Sequence, residues 1–124
     1  MSRILVIDDD VPLRLVLRSI LERAGHTVLD APDGRSGMAL WRREPTDIVV
    51  TDIFMPEKDG VEVIQEMKNV ATKPKIIAIS GGGQSGLFDL SSTATLLGAD
   101  RVLVKPFDQR TLLLTVQEVL NDHA

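Results

Sequence analysis

Five short apolar runs punctuate the chain: Arg3–Ile7, Thr27–Ala31, Ile48–Thr51, Lys75–Ile79 and Arg101–Val104. They are rich in β-branched residues and lack polar alternation, the pattern of strands buried on both faces. Between them the period changes to that of a helix. Leu13, Val16, Leu17, Ile20 and Leu21 form an inward stripe running to about Ala24, with Asp10 as N-cap, Pro12 in the first turn and Gly25 just past the end. Asp33 caps a second helix from Arg35 to about Glu44, and Pro45 closes it. A third runs from Val61 to Lys68 with Val61, Ile64 and Met67 on one face. A weaker helix follows from about Leu87 to Leu97. Asp108 caps a last one, with Leu112, Leu113, Val116, Val119 and Leu120 inward.

Strands alternating with helices predict an α/β fold: a parallel sheet covered on both faces and joined by right-handed crossovers. For five strands the common doubly wound order is 2-1-3-4-5, which sets strands one and three side by side. The 124 residues suffice for one domain, expected to span 1–124. With three Phe, one Trp and no Tyr, the core must be aliphatic. A net charge of −4 leaves no basic footprint for nucleic acid, and zero cysteines excludes thiolate metal sites. No apolar run is long enough to span a bilayer, and no signal peptide precedes the first strand, so a cytoplasmic protein is expected.

The chemistry collects where open α/β sheets bind ligands, at the carboxyl ends of the strands. Strand one delivers Asp8 and Asp9, strand three Asp52, strand four Ser80 and strand five Lys105. Strand two offers only Asp30-Ala31 and Pro32, at the sheet edge. Three carboxylates in one crevice repel one another unless a cation joins them, and an oxygen-only set suits Mg2+. A carboxylate is also a competent nucleophile toward phosphoryl groups, with Mg2+ and a lysine offsetting their charge. Ser80 can donate to a phosphoryl oxygen, and Gly81 beside it has no side chain to obstruct one.

These residues resemble the receiver domain of bacterial two-component response regulators, the chemotaxis type in particular. The likeness is carried by Val6-Ile7-Asp8-Asp9, Asp52, Met55-Pro56 with Asp59-Gly60, Ser80-Gly81 and Lys105-Pro106-Phe107, and it covers essentially the whole chain. It implies a flavodoxin-like fold. It implies that Asp52 is the phosphoacceptor, that Asp9, Asp52 and the Phe54 backbone carbonyl bind Mg2+ directly, and that Asp8 acts through water. Ser80 and Lys105 would contact the phosphoryl group, and the Lys105-Pro106 peptide would be cis. A sensor histidine kinase or histidine phosphotransfer protein would supply the phosphoryl group. A downstream effector protein would read it, with no direct nucleic acid contact, no membrane insertion and no catalysis beyond the chain's own phosphorylation and dephosphorylation. The reading is of a single-domain receiver whose output comes from partner binding, unless the chain is a fragment of a longer protein.

Three departures from the family pattern stand out. Val102 occupies the position of the usual aromatic residue three before the lysine, so no ring is available to relay a signal. Phe54 replaces a position that is often polar or small. The loop Gly81–Gly86 is unusually glycine-rich, which assigns the bistable role to its backbone.

Two other functions compete. Gly81, Gly83 and Gly86 match a dinucleotide fingerprint, but the next strand ends in Val104-Lys105 rather than in the required acid. An aspartyl-phosphate hydrolase would need a general acid near Asp52 and a cap insertion, and the chain has neither.

Overall fold

The computed structural model describes residues 2–53, 60–81 and 98–121, apart from the side chain of Val61. Five strands, β1 (Arg3–Ile7), β2 (Thr27–Ala31), β3 (Ile48–Asp52), β4 (Lys75–Ser80) and β5 (Arg101–Val104), form one parallel sheet. Its order is β2-β1-β3-β4-β5, the doubly wound arrangement expected from the alternation. The described helices are α1 (Val11–Arg23), α2 (Gly34–Arg43), α3 (Gly60–Met67) and a last helix, Gln109–Asn121. The helix expected over 87–97 lies outside the described residues, as do most of the glycine-rich loop and His123.

Alternation along each strand divides the core in two. Ile4, Val6, Ile48, Val50, Ile77, Ile79 and Leu103 pack with Leu17 and Leu21 of α1 and with Leu112, Val116 and Val119 of the last helix. On the opposite face Leu5, Ile7, Val49, Ile76 and Ala78 meet Met38 and Trp41 of α2 and Val63, Ile64 and Met67 of α3. Every residue of β3 is buried, because it is the central strand and both faces are covered.

The helix ends follow the sequence signals. Carboxylates of Asp10, Asp33 and Asp108 accept from the backbone N–H of Leu13, Ser36 and Thr111 at 3.1, 2.8 and 2.8 Å. Gly25 adopts φ 100°, the left-handed turn that ends α1. At the amino-terminal ends of the strands, Asp47 Oδ2 accepts from the Arg3 N–H at 2.9 Å, and the Asp47 carbonyl takes the Lys75 N–H at 2.9 Å. Nearby, the Trp41 indole N–H donates to the Thr46 carbonyl at 3.3 Å.

One expected core position is corrected. Val16 is 53% exposed, whereas Leu17 and Leu21 are buried and Leu13 and Ile20 are half-buried. A helix turns by about 100° per residue, so Val16 stands a quarter-turn from Leu17, beyond the edge of the apolar stripe. Val16 joins Val11 and Leu15 among the exposed apolar side chains. Leu17→Ala should therefore cost roughly 2–5 kcal/mol, while Val16→Asn should stay within about 0.5 kcal/mol of the parent. Urea denaturation followed by far-UV circular dichroism reads both. Comparable losses would return Val16 to the core.

Candidate functional site

The register of the sheet brings Asp8, Asp9, Asp52 and Lys105 together, while Ser80 ends β4 in the alternation of Ala78, which faces the layer of α2 and α3. Ile7 lies beside Thr51 in the β1–β3 ladder, so the next pair along is Asp8 and Asp52. Asp8 and Asp52 continue the alternation of Val6 and Val50, and Lys105 that of Leu103, toward the layer of α1 and the last helix. Asp8, Asp52 and Ser80 are buried, Lys105 is half-buried and Asp9 is exposed. Lys105 Nζ donates to Asp52 Oδ2 at 3.1 Å. Asp8, Asp9 and Asp52 each present a carboxylate oxygen within 4.8 Å of the others, an arrangement able to hold a metal ion.

Asp8 is the electrostatically exposed point of this group. Its Oδ1 accepts from the Asp10 N–H at 2.9 Å, but Oδ2 is buried with no hydrogen-bond partner. Burial pushes the Asp8 carboxyl up to about 6, against the pull of the Asp10 hydrogen bond; the Asp52 charge raises it further, Lys105 draws it down and Asp9 adds a smaller push upward. Burial alone would lower the Lys105 ammonium, but its hydrogen bond to Asp52 and the charges of Asp52, Asp8 and Asp10 prevail and hold it above the ordinary lysine value. Lys105 therefore stays cationic at neutral pH. A buried carboxylate oxygen without a partner, beside two more carboxylates, is the donor set a hard divalent cation satisfies.

Backbone contacts fix the strand ends. The Ile53 N–H donates to the Ile79 carbonyl at 3.0 Å and the Lys105 N–H to the Ser80 carbonyl at 2.8 Å. The loop after Asp52 returns at Gly60, whose N–H donates to the Ile53 carbonyl at 2.9 Å. A Cβ at Gly60 would stand 2.1 Å from the Asp52 carbonyl oxygen, so only glycine permits this approach. The Lys105-Pro106 peptide is cis, as the resemblance implied. A Cβ on Gly81 would meet nothing within 4 Å, so the space beside Ser80 does not depend on the missing side chain. The Phe54 carbonyl and the Met55–Asp59 segment lie outside the described residues.

Arg14 of α1 joins this end of the sheet from the side of β2. Its side chain is only 13% exposed and forms an ion pair with Asp30, Nε to Oδ1 at 3.1 Å. Its Nη1 donates to the Asp8 backbone carbonyl at 2.8 Å. The available signal was an acid ending strand two, facing arginines spaced i, i+4 on the preceding helix.

The family model of the response regulator receiver domain matches residues 4–117. Chemotaxis protein CheY of Bacillus subtilis is 32% identical over 120 residues, covering 96% of this chain and 98% of that protein. A probable transcriptional regulator, ycf27 of Porphyridium aerugineum, is 36% identical over 121 residues, covering 96% of this chain and 48% of that protein. The chain thus spans about half the length of the transcriptional regulators it matches. The solved receiver domain of NtrX from Brucella abortus superposes with a TM-score of 0.88 at 29% identity, covering 97% of this chain and 99% of that one.

The raised Asp8 pKa carries a pH signature in metal-free protein. Between the ordinary value of 3.8 and about 6, the folded state holds a proton that the unfolded state has released. This group's contribution to stability therefore falls as pH rises through that window. Asp8→Asn cannot titrate, so its stability relative to the parent should climb from pH 4 to pH 7 by roughly 1–3 kcal/mol. Urea titrations in chelator across that range measure the difference. A pH-independent offset would refute the assignment.

Proposed function

The chain belongs to the response regulator receiver domain family, and on that premise we propose that it is a phosphorylation-dependent switch with Asp52 as phosphoacceptor. The supporting observation is the pairing of a buried strand-end carboxylate with Lys105, within reach of Asp8 and Asp9. In this reading residues 1–124 form one receiver unit. An Asp52 oxygen attacks the phosphorus of a phosphohistidine on a sensor kinase or phosphotransfer protein. The O–P bond forms, the P–N bond breaks, and the electron pair returns to the imidazole. Lys105 and the Ser80 hydroxyl stabilise the phosphoryl oxygens by charge and hydrogen bonding.

Asp9 and Asp52, with the Phe54 carbonyl, are the residues that would hold Mg2+ directly, and Asp8 would act through water. When bound, the ion supplies positive charge for the phosphoryl oxygens and relieves the repulsion among the three carboxylates. Output passes to a downstream effector that reads the phosphorylated surface. Near-complete coverage of a chemotaxis protein supports signalling by partner binding, and half-coverage of transcriptional regulators supports receiver units joined to output domains. The receiver itself does not contact nucleic acid. It works in the cytoplasm, consistent with the described residues, in which no helix is long and apolar enough to cross a membrane. The family match spans the loop that suggested dinucleotide binding, which favours the receiver reading.

Two experiments address this reading. Acetyl phosphate with Mg2+ should label Asp52 alone, and Asp52→Asn should abolish labelling; undiminished label on that variant would sink the assignment. Leu15 is 55% exposed on α1, beside Val11 and Val16. As an anchor for the kinase, its replacement in Leu15→Asp should slow phosphotransfer about tenfold, in line with loss of an interface hot spot, yet leave acetyl phosphate labelling intact. A parallel fall in both rates would assign Leu15 a structural role.

A further inference from the structure

We propose that Arg14 is a positioning residue for the acidic site: its guanidinium fixes the Asp8–Asp9 peptide and thereby aims the carboxylates that hold the metal. This rests on the Mg2+ reading above. Asp8 is the first residue beyond β1, where ladder pairing gives out. Its N–H is held by the Ala31 carbonyl of β2 at 3.1 Å. Its carbonyl is held by Arg14 Nη1 at 2.8 Å. That carbonyl belongs to the peptide leading into Asp9, so the Arg14 bond sets the plane from which the Asp9 side chain departs. Among the described residues the Asp9 carboxylate has no hydrogen bond or ion pair of its own, and its direction depends on the backbone alone.

Arg14 is in turn oriented by Asp30. The planar fork of an arginine makes two directed bonds at once, here Nε to Asp30 and Nη1 to Asp8. The second Asp30 oxygen accepts from Arg18 Nη1 at 2.5 Å, so both oxygens of that carboxylate are engaged. With side chains 13% and 18% exposed, the Arg14–Asp30 pair is sheltered from the screening that weakens surface pairs. Arg18 is more exposed, at 39%, and also bonds Glu22 at 3.2 Å; it braces Asp30 but bonds no residue of the acidic site. Helix geometry explains the division. Arg14 lies about 60° from Leu17 on the flank opposite Val16, turned toward β2.

The test is Mg2+ affinity, by calorimetry and by amide shifts, on the intact chain and four variants. Arg14→Met should raise the Mg2+ dissociation constant about tenfold, the usual order for loss of an outer-shell partner. Arg14→Lys keeps the charge but lacks the fork, so it should remain several-fold weaker than the parent. Arg18→Met should stay within about twofold, because it leaves the Asp8 contact in place. Full recovery by Arg14→Lys, or equal losses in Arg14→Met and Arg18→Met, would reduce the effect to general charge and overturn the proposal, as would parental affinity in Arg14→Met. If Arg14→Met fails to fold, Asp30→Asn substitutes for it: loosening Arg14 should weaken Mg2+ several-fold, and unchanged affinity refutes the role. Absence of Mg2+ binding by the parent chain would instead count against the metal reading. The metal-free spectra then decide on Arg14 separately, since Arg14→Met must shift and broaden the Asp9 amide while Arg18→Met does not. An unmoved Asp9 amide would overturn the positioning role.

Discussion

Like charges gathered at one end of a sheet are what the rest of the molecule must support. A carboxylate buried as deeply as Asp8 is unfavourable in its charged form, and Asp52 and Asp9 make it more so. The strands do not splay because two aliphatic layers hold them in register, one on each face. Lys105 offsets part of the repulsion through its bond to Asp52. The remainder persists as a preference for positive charge. In this sense the core opposes a local electrostatic cost that a bound cation would relieve.

The geometry needs little beyond strand alternation. Parallel strands in register end on the same side, so residues of matching parity at their tips become neighbours without any special loop. Backbone restraints then act at close quarters. Gly60 lets the chain fold back against Asp52, and the Ile53 and Lys105 amides extend the pairing with β4 past the strand ends. The Asp52 carboxylate is thus placed by the central, fully buried strand, while Asp9 stands on a peptide that only side-chain and edge contacts restrain.

Most of this was legible in the sequence, for physical reasons. Buried parallel strands read as unbroken aliphatic runs, and the acids, serine and lysine directly follow them. Asp10, Asp33 and Asp108 could be named as caps because a cap depends on neighbours three residues away. Val16 was misplaced because an apolar residue on the border of a helical stripe fits the period whether or not a partner covers it. The role of Arg14 was not legible, because its two partners, Asp30 and the Asp8 carbonyl, belong to other elements, and helical period says nothing about where a long side chain ends. The open space at Gly81 was likewise invisible, since it depends on what surrounds the residue and not on its type.

The position of Trp41 has a practical corollary. It is the sole tryptophan of a chain without tyrosine, and it is buried at the amino-terminal side of β3, with its indole tied to Thr46. The five residues of β3 separate that end from Asp52, about 15 Å at the rise of an extended strand. The intrinsic fluorophore therefore sits at the opposite pole from the acidic cluster. Its emission is therefore expected to report loss of the α2–sheet core rather than events at the acidic cluster.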